Sequence, residues 1–189
     1  TLSNPSMPFT MSATSAGSTT NVSVSVASFV AFVEGIKRLT GPRMSYFNTA
    51  GVTSSTSAYV PIFTVRNDAT YASRANQAVV NLLSVGGASK STTGITSFFL
   101  IRDATLTGTP SFASYATTSC TYTDTAATGC TFSANSQVIW TGSTTGDGQF
   151  VFPFVDETTL QPGESVTLAV RSVSGTAVCV GTLNTREDQ

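Results

Sequence analysis

Two stretches of the chain repeat one design, an apolar run followed by Arg, an acidic residue and Ala-Thr. The first lies within Tyr59–Gly87 and carries Arg66-Asn67-Asp68-Ala69-Thr70, and the second, Phe98–Gly108, carries Arg102-Asp103-Ala104-Thr105. Each apolar run is four to eight residues long and rich in β-branched and aromatic residues, which is typical of a strand. The longer stretch therefore predicts two strands joined by a polar connection.

The same pattern of short apolar runs between turn residues continues to the end of the chain. Gly86-Gly87, Gly108-Thr109-Pro110, Gly142, Gly146-Asp147-Gly148, Pro162-Gly163 and Gly175 are the turn signals. The runs between them predict strands at 43–47, 58–65, 77–85, 95–102, 120–122, 137–141, 149–154, 165–173 and 177–183. In the run 165–173, Val166, Leu168 and Val170 alternate with Thr167, Ala169 and Arg171, which predicts one buried and one wetter face. The pattern predicts an all-β antiparallel sandwich or barrel.

The first 20 residues differ in composition from the rest of the chain. Residues 1–20 are rich in Ser, Thr and Pro but contain the apolar residues Leu2, Met7, Phe9 and Met11. These suit an extended arm that lies on a neighbouring protein, and a free tail is the alternative. We predict a domain organisation of an arm at 1–20 and one β-sandwich domain at 21–189. Residues 28–37 fit either a strand or a short helix.

The surface chemistry is unusual for a chain of 189 residues. Only 10% of the residues are charged, the formal net charge is −1, and Ser and Thr make up close to a third. An ordinary soluble domain has about 25% charged residues, and charges keep monomers apart. The deficit favours a surface covered by other subunits, with a hydroxyl-rich monomer as the alternative. The charge balance predicts no nucleic-acid partner, and with no apolar run near 20 residues we expect no membrane span.

The composition also argues against catalysis. The sequence has no His, which removes the most frequent general base, the most frequent metal ligand and any Ser-His or Cys-His nucleophile pair. Cys120, Cys130 and Cys179 do not have the spacing of a zinc site. A disulfide between Cys120 and Cys130 across a hairpin and three free thiols both fit. We predict no catalytic residue, no cofactor and no metal ligand.

Three groups of residues are candidate sites. Arg66, Asp68, Arg102 and Asp103 are expected to form ion pairs and turn caps at strand ends rather than a charged cleft. Asp156, Glu157 and Glu164 could supply the carboxylates of a glycosidase, but 156–163 is expected to be a polar loop. Tyr122 and Trp140 could form a stacking surface for a glycan, although a tryptophan packed in the core is the more common arrangement.

The stretches from Tyr59 onward resemble a family of tailed-bacteriophage virion proteins, both in the sequences of their motifs and in the order of these motifs. The resemblance rests on VRNDATYASRANQAVV from Val65, on FFLIRDATLTG from Phe98 and on LQPGESVTL from Leu160. It rests also on the ending Leu183-Asn184-Thr185-Arg186-Glu187, in which Thr185 stands where the family has Trp. Residues 1–57 are not covered.

The resemblance implies a jelly-roll β-sandwich, a homotrimer and no catalysis. It places the protein on the virion, where we prefer the capsid surface over the tail, with the major capsid protein or another virion protein as partner. In this interpretation Leu2, Met7, Phe9 and Met11 dock on the capsid. The alternative is a tail-tip or head-fibre knob that binds a host-surface glycan through Tyr122 and Trp140.

Overall fold

The computed structural model describes residues 41–90 and 94–188, and all of their regular structure is β. No helix occurs among these residues, and the strands pair antiparallel in sheets packed as a sandwich. The strands, numbered along the chain, are β1 Arg43–Phe47, β2 Val52–Thr53, β3 Val60–Asn67, β4 Thr70–Tyr71, β5 Arg74–Ala75, β6 Val79–Lys90, β7 Ile95–Arg102, β8 Thr105–Gly108, β9 Ala113–Ser114, β10 Thr121–Asp124, β11 Ala127–Thr131, β12 Gln137–Thr145, β13 Gly148–Leu160, β14 Ser165–Ser172 and β15 Val178–Asp188. The predicted all-β sandwich is confirmed.

Two sheets form the sandwich. The front sheet has the order β1-β15-β6-β13, with the short β2 beside β15, and the back sheet has the order β12-β7-β14-β3-β10-β9. Successive long strands mostly alternate between the sheets, which is compatible with the predicted jelly roll. Two small two-stranded sheets, β8-β11 and β4-β5, complete the described part.

The main core lies between the two sheets. Fully buried apolar side chains come from β6 and β15 of the front sheet and from β3, β7 and β14 of the back sheet. Strand β15 shows the reason most clearly, because its residues alternate strictly between buried and open from Val178 to Asp188. This period of two is what a sheet with one face on a core requires.

The prediction of one wetter face for β14 is wrong. Thr167 and Ala169 are as fully buried as their neighbours Val166 and Leu168. Strand β14 is central in the back sheet, between β7 and β3. Ala169 packs outside the main core, in a second cluster with Ile101 and Cys130, because residues of β8 and β11 cover this part of the outer face. Both faces of β14 are therefore covered, and only its first residue, Ser165, and Arg171 are half-open.

Two predicted turn signals are also wrong, since Gly86-Gly87 lies inside β6 and Gly142 lies inside β12. Close ring packing explains both. A Cβ on Gly87 would lie 2.8 Å from the Phe98 ring, and a Cβ on Gly142 would lie 2.4 Å from Cη2 of Trp140. The other glycine-containing turn signals are confirmed at strand ends or between strands, with Gly146, Gly163 and Gly175 at positive φ and Gly148 as the first residue of β13.

Other predicted boundaries change as well. The loop predicted at 156–163 is wrong up to residue 160, because β13 continues to Leu160 and, past a bulge, pairs Thr158–Leu160 with β6; residues 161–163 lie in the turn before β14. The strand predicted at 120–122 runs from Thr121 to Asp124. The sandwich falls within the compact unit Leu39–Gln189. The predictions for the arm at 1–20, for the domain start at residue 21 and for residues 28–37 lie outside the described residues.

Candidate interaction surfaces

The motifs that carry the family resemblance lie together at one end of the sandwich. Asn67 forms hydrogen bonds to several of these segments. Its buried side-chain amide donates to the carbonyls of Ala78 (2.8 Å) and Leu160 (3.1 Å), and its Oδ1 accepts from Asn76 Nδ2 (2.7 Å). Its backbone N–H and C=O bond to Glu164 O and Gly163 N. Through its side chain and its backbone, this one residue joins β3, the start of β6 and the β13–β14 turn.

The second motif, Phe98–Gly108, closes the same end from β7. Asp103 adopts a left-handed backbone with φ 49°, and its Oδ1 accepts from the N–H of Ser165 at 2.8 Å. The Arg102 guanidinium donates to Thr159 O (2.8 Å) and lies 3.9 Å from Glu164 Oε1. Glu164 Oε2 in turn accepts from the N–H of Gln161. These charged groups cap turns, as the sequence predicted.

The last motif contributes a fully buried carboxylate, Glu187. It accepts from the hydroxyls of Ser119 and Thr121 and from the Cys120 N–H, at 3.2 Å from Thr121 Oγ1 and 3.3 Å from the amide nitrogen. The Tyr46 hydroxyl bonds to the same Thr121 Oγ1 at 2.7 Å. Burial raises the pKa of Tyr46 to about 12, so the phenol stays protonated. This network ties the last strand to the chain before β10.

The predicted ion pair Arg66–Asp68 is confirmed, whereas Arg102 pairs with Glu164 instead of Asp103. The side chains of Arg66 and Asp68 approach to 3.4 Å at the end of β3, and the Arg66 guanidinium lies 4.3 Å from the centroid of the Phe112 ring and 5.7 Å from that of Tyr122. The predicted alternative of a charged cleft therefore finds no support here, since these groups are used in caps and pairs. The side chains of Asp156 and Glu157 lie outside the described part.

The structure does not bring Tyr122 and Trp140 together. Tyr122 is on β10 and Trp140 on β12, four strand positions apart in the back sheet, which corresponds to roughly 19 Å. Trp140 packs partly against the main core, with its ring centroid 5.0 Å from that of Phe150 and 5.7 Å from that of Phe152. One sugar ring therefore cannot stack on both Tyr122 and Trp140. That either side chain contacts a glycan by itself stays a prediction.

The three cysteines are free and buried. Cys120 lies beside Glu187, Cys130 lies on the outer side of the back sheet beneath Tyr59, and Cys179 is in β15. Burial raises the pKa of each thiol to about 11. At neutral pH the thiols are protonated and enclosed, so they are poor nucleophiles and poor metal ligands.

The outer face of the front sheet carries a groove of about 660 Å³ that sequence reasoning missed. One row of side chains crosses four strands, from Phe47 through Thr182 and Gly86 to Val151. A Cβ on Gly86 would lie 2.8 Å from Thr182 Oγ1, so the floor is flat because this residue has no side chain. Phe47 and Val151, at 55% and 78% exposed, stand at its two sides.

None of the described residues that line this groove is charged. Val180 lies along it at 40% exposed, and Val178, half-exposed, follows on the same face of β15. Contiguous apolar surface rimmed by hydroxyls and amides is typical of a contact between proteins. The charged pairs Arg66–Asp68 and Arg102–Glu164 belong to strands and turns of the back sheet. The groove offers shape and apolar area, and no group for acid–base chemistry.

Two signals in the sequence point to this face. Val178, Val180, Thr182 and Asn184 alternate with buried residues, and their outward row is uncharged. Gly86-Gly87 in the middle of an apolar run indicates close approach of another group as well as a turn. In the sequence alone the second signal favours a turn, so the sequence does not predict the flat floor.

No group of three or more metal-ligating side chains occurs in the part of the chain described by the structure. A search of residues 41–90 and 94–188 finds no helix with the length and hydropathy to cross a bilayer. No protein-family model matches the sequence, and no curated protein matches it.

Proposed function

We propose that the protein is a non-enzymatic structural component of a bacteriophage virion, a homotrimer that decorates or cements the capsid surface. The observation that carries this proposal is the uncharged groove on the front sheet, flanked by Phe47, Val151 and Val180. Apolar side chains this exposed favour association, because each gains about 1.5–3 kcal/mol when fully buried. A second copy of the chain is the occupant that we propose.

The motif end supports the same proposal. Its charged and amide side chains have partners within the fold, so the resemblance rests on residues that build a sandwich rather than on a reaction centre. Motif residues that stabilise the fold and catalyse no reaction are expected in a structural protein of a virus particle. The trimeric state itself comes from the family resemblance.

Attachment to the particle is assigned to Leu2, Met7, Phe9 and Met11 within residues 1–20. Burial of even two such side chains in each of three arms gains several kcal/mol, less the cost of ordering the backbone. Three arms on one trimer also bind as a linked set, which raises the apparent affinity.

Addition of purified protein to particles that lack it tests this assignment. Deletion of residues 1–20 should leave the oligomer and its thermal unfolding unchanged but abolish its addition to particles. The matched control replaces the four apolar residues by Ser in the full-length chain and should fail equally. Full occupancy by the truncated protein would move the docking surface to the sandwich.

The second candidate, a knob that binds a host-surface glycan, needs a site other than a joint Tyr122–Trp140 surface. One observation favours it, an aromatic pocket with an arginine on the outer face of the back sheet.

A further inference from the structure

A pocket of about 310 Å³ lies on the outer face of the back sheet, lined by Thr56, Tyr59, Ser97, Phe99, Arg171, Ser172 and Val173. Its aromatic part is held in place on two sides. The Tyr59 ring meets Phe99 and Phe132 edge-on, each with a centroid distance of 5.0 Å and interplanar angles of 85° and 89°. We call this site the Tyr59–Arg171 pocket.

Arg171 supplies the charge of the pocket. Its guanidinium carbon is 5.4 Å from the centroid of the Tyr59 ring, and its Nε donates to Thr56 O at 3.1 Å. Held at Nε, the group is oriented before any ligand arrives, and no described residue bonds to its two terminal nitrogens.

Arg171 and Arg66 both lie over aromatic rings, but they differ in their carboxylate partners. Arg66 also lies over aromatic rings but has the carboxylate of Asp68 at 3.4 Å, and Arg102 has Glu164 at 3.9 Å. Within residues 41–90 and 94–188, no carboxylate forms a salt bridge with Arg171. A planar guanidinium with two free nitrogens binds a carboxylate in a bidentate manner.

A row of hydroxyl side chains lies next to the pocket, on the neighbouring strands β7 and β12. Ser97 is the cross-strand neighbour of both Arg171 and Ser143, and the two serine Oγ atoms are 3.0 Å apart. Thr141 and Thr145 are exposed on the same face of β12 as Ser143. This row offers donors and acceptors at the surface next to the aromatic rings.

We propose that the Tyr59–Arg171 pocket binds a carboxylate-bearing sugar residue of a polysaccharide. The rings of Tyr59 and Phe99 offer apolar surface to the C–H face of the sugar, Arg171 pairs with its carboxylate, and Ser97 and its neighbours bond to its hydroxyls. The volume, at the lower end for ligand sites, suits one sugar unit. A phosphodiester chain fits less well, because nucleic-acid sites use several cations along a groove.

This inference rests on the second candidate function and is independent of trimer assembly. Isothermal titration with trigalacturonic acid and with its neutral methyl ester separates recognition of the carboxylate from recognition of the sugar. Sialyllactose forms a third arm, which separates a sialic acid from a uronic acid as the source of the carboxylate. The free acid of at least one source should bind, and the ester should bind at least tenfold more weakly.

Variants then assign the effect to the pocket. Arg171→Gln should weaken binding of the acid about 10- to 100-fold, the range for loss of hydrogen bonds to a charged group. Arg171→Lys keeps the charge but not the planar fork, so we expect an intermediate loss. Arg66→Gln is the matched control, since Arg66 stacks on rings in the same sheet, and it should bind as the parent protein does.

Thermal unfolding of each variant shows that the fold is retained, and Arg171→Lys stands in if Arg171→Gln does not fold. Absence of binding to both acids at millimolar concentration would overturn the proposal. Equal affinity for acid and ester, or equal loss in the Arg66→Gln control, would overturn it too. A monomeric protein that binds the acid would refute only the assembly proposal, so the two failures are distinguishable.

Discussion

Replacement of Asn67 by Ala tests whether the motif end is architecture. The change removes two donated hydrogen bonds and one accepted bond of a fully buried side chain, at 2.8, 3.1 and 2.7 Å. Each intramolecular hydrogen bond contributes about 1 kcal/mol net, and a buried polar group left without a partner costs about 1–3 kcal/mol. We therefore expect a loss of about 3–5 kcal/mol in the free energy of unfolding.

Equilibrium unfolding in urea, at one fixed protein concentration for all variants, measures this loss. Asn67→Asp keeps the shape but not the amide donor, so it separates the hydrogen bonds from the cavity and should be nearly as destabilising. Asn184→Ala is the control, because this half-buried residue of β15 donates one bond, to Ser84 Oγ at 2.8 Å, and should cost about 1 kcal/mol or less. If Asn67→Ala and Asn184→Ala differ by less than 1 kcal/mol, the reasoning is refuted.

Three further predictions concern packing and titration. Gly142→Ala places a Cβ 2.4 Å from the Trp140 ring and should lower the free energy of unfolding by about 1–3 kcal/mol, as measured by thermal unfolding. Thr141→Ala, at the exposed neighbouring position, should change it little. Because burial raises the pKa of the three thiols from 9.0 to about 11, a thiol reagent at pH 7.5 should label none of them in the native protein and all three in urea; rapid native labelling would contradict their burial. Since the unfolded chain loses these protons near pH 9 and the folded chain near pH 11, stability should fall between those values, and an unfolding temperature that is equal at pH 8 and pH 10.5 would contradict it.

Much of the fold could be predicted because the period of two is strong in the sequence. Strands β1 and β7 have the predicted bounds, and the caps around Asp103 follow from acidic residues placed directly after apolar runs. Both are local signals, fixed by a residue and its near neighbours in the chain. The free and buried thiols were one of two predicted arrangements.

What could not be predicted depends on distant partners. Gly87 is in a strand because Phe98 and Phe150 occupy the space of its side chain, and neither ring is near it in sequence. The outer face of β14 is covered at Ala169 by residues of β8 and β11, and the sequence of β14 alone does not indicate that these strands lie over it. The Tyr59–Arg171 pocket likewise joins residues more than 100 positions apart, each unremarkable alone.

The central claim is that copies of the chain associate through the outer face of the front sheet. Sedimentation of the full chain and of two lysine variants at micromolar concentration tests it most directly. Val180 and Val138 are both 40% exposed, but Val180 lies along the groove on β15 and Val138 lies on β12 of the back sheet. A lysine that must enter an apolar contact leaves a charge to be desolvated, so we expect a trimer for the parent protein and for Val138→Lys and a monomer for Val180→Lys. A monomeric parent, or a trimer that survives Val180→Lys, would contradict the account.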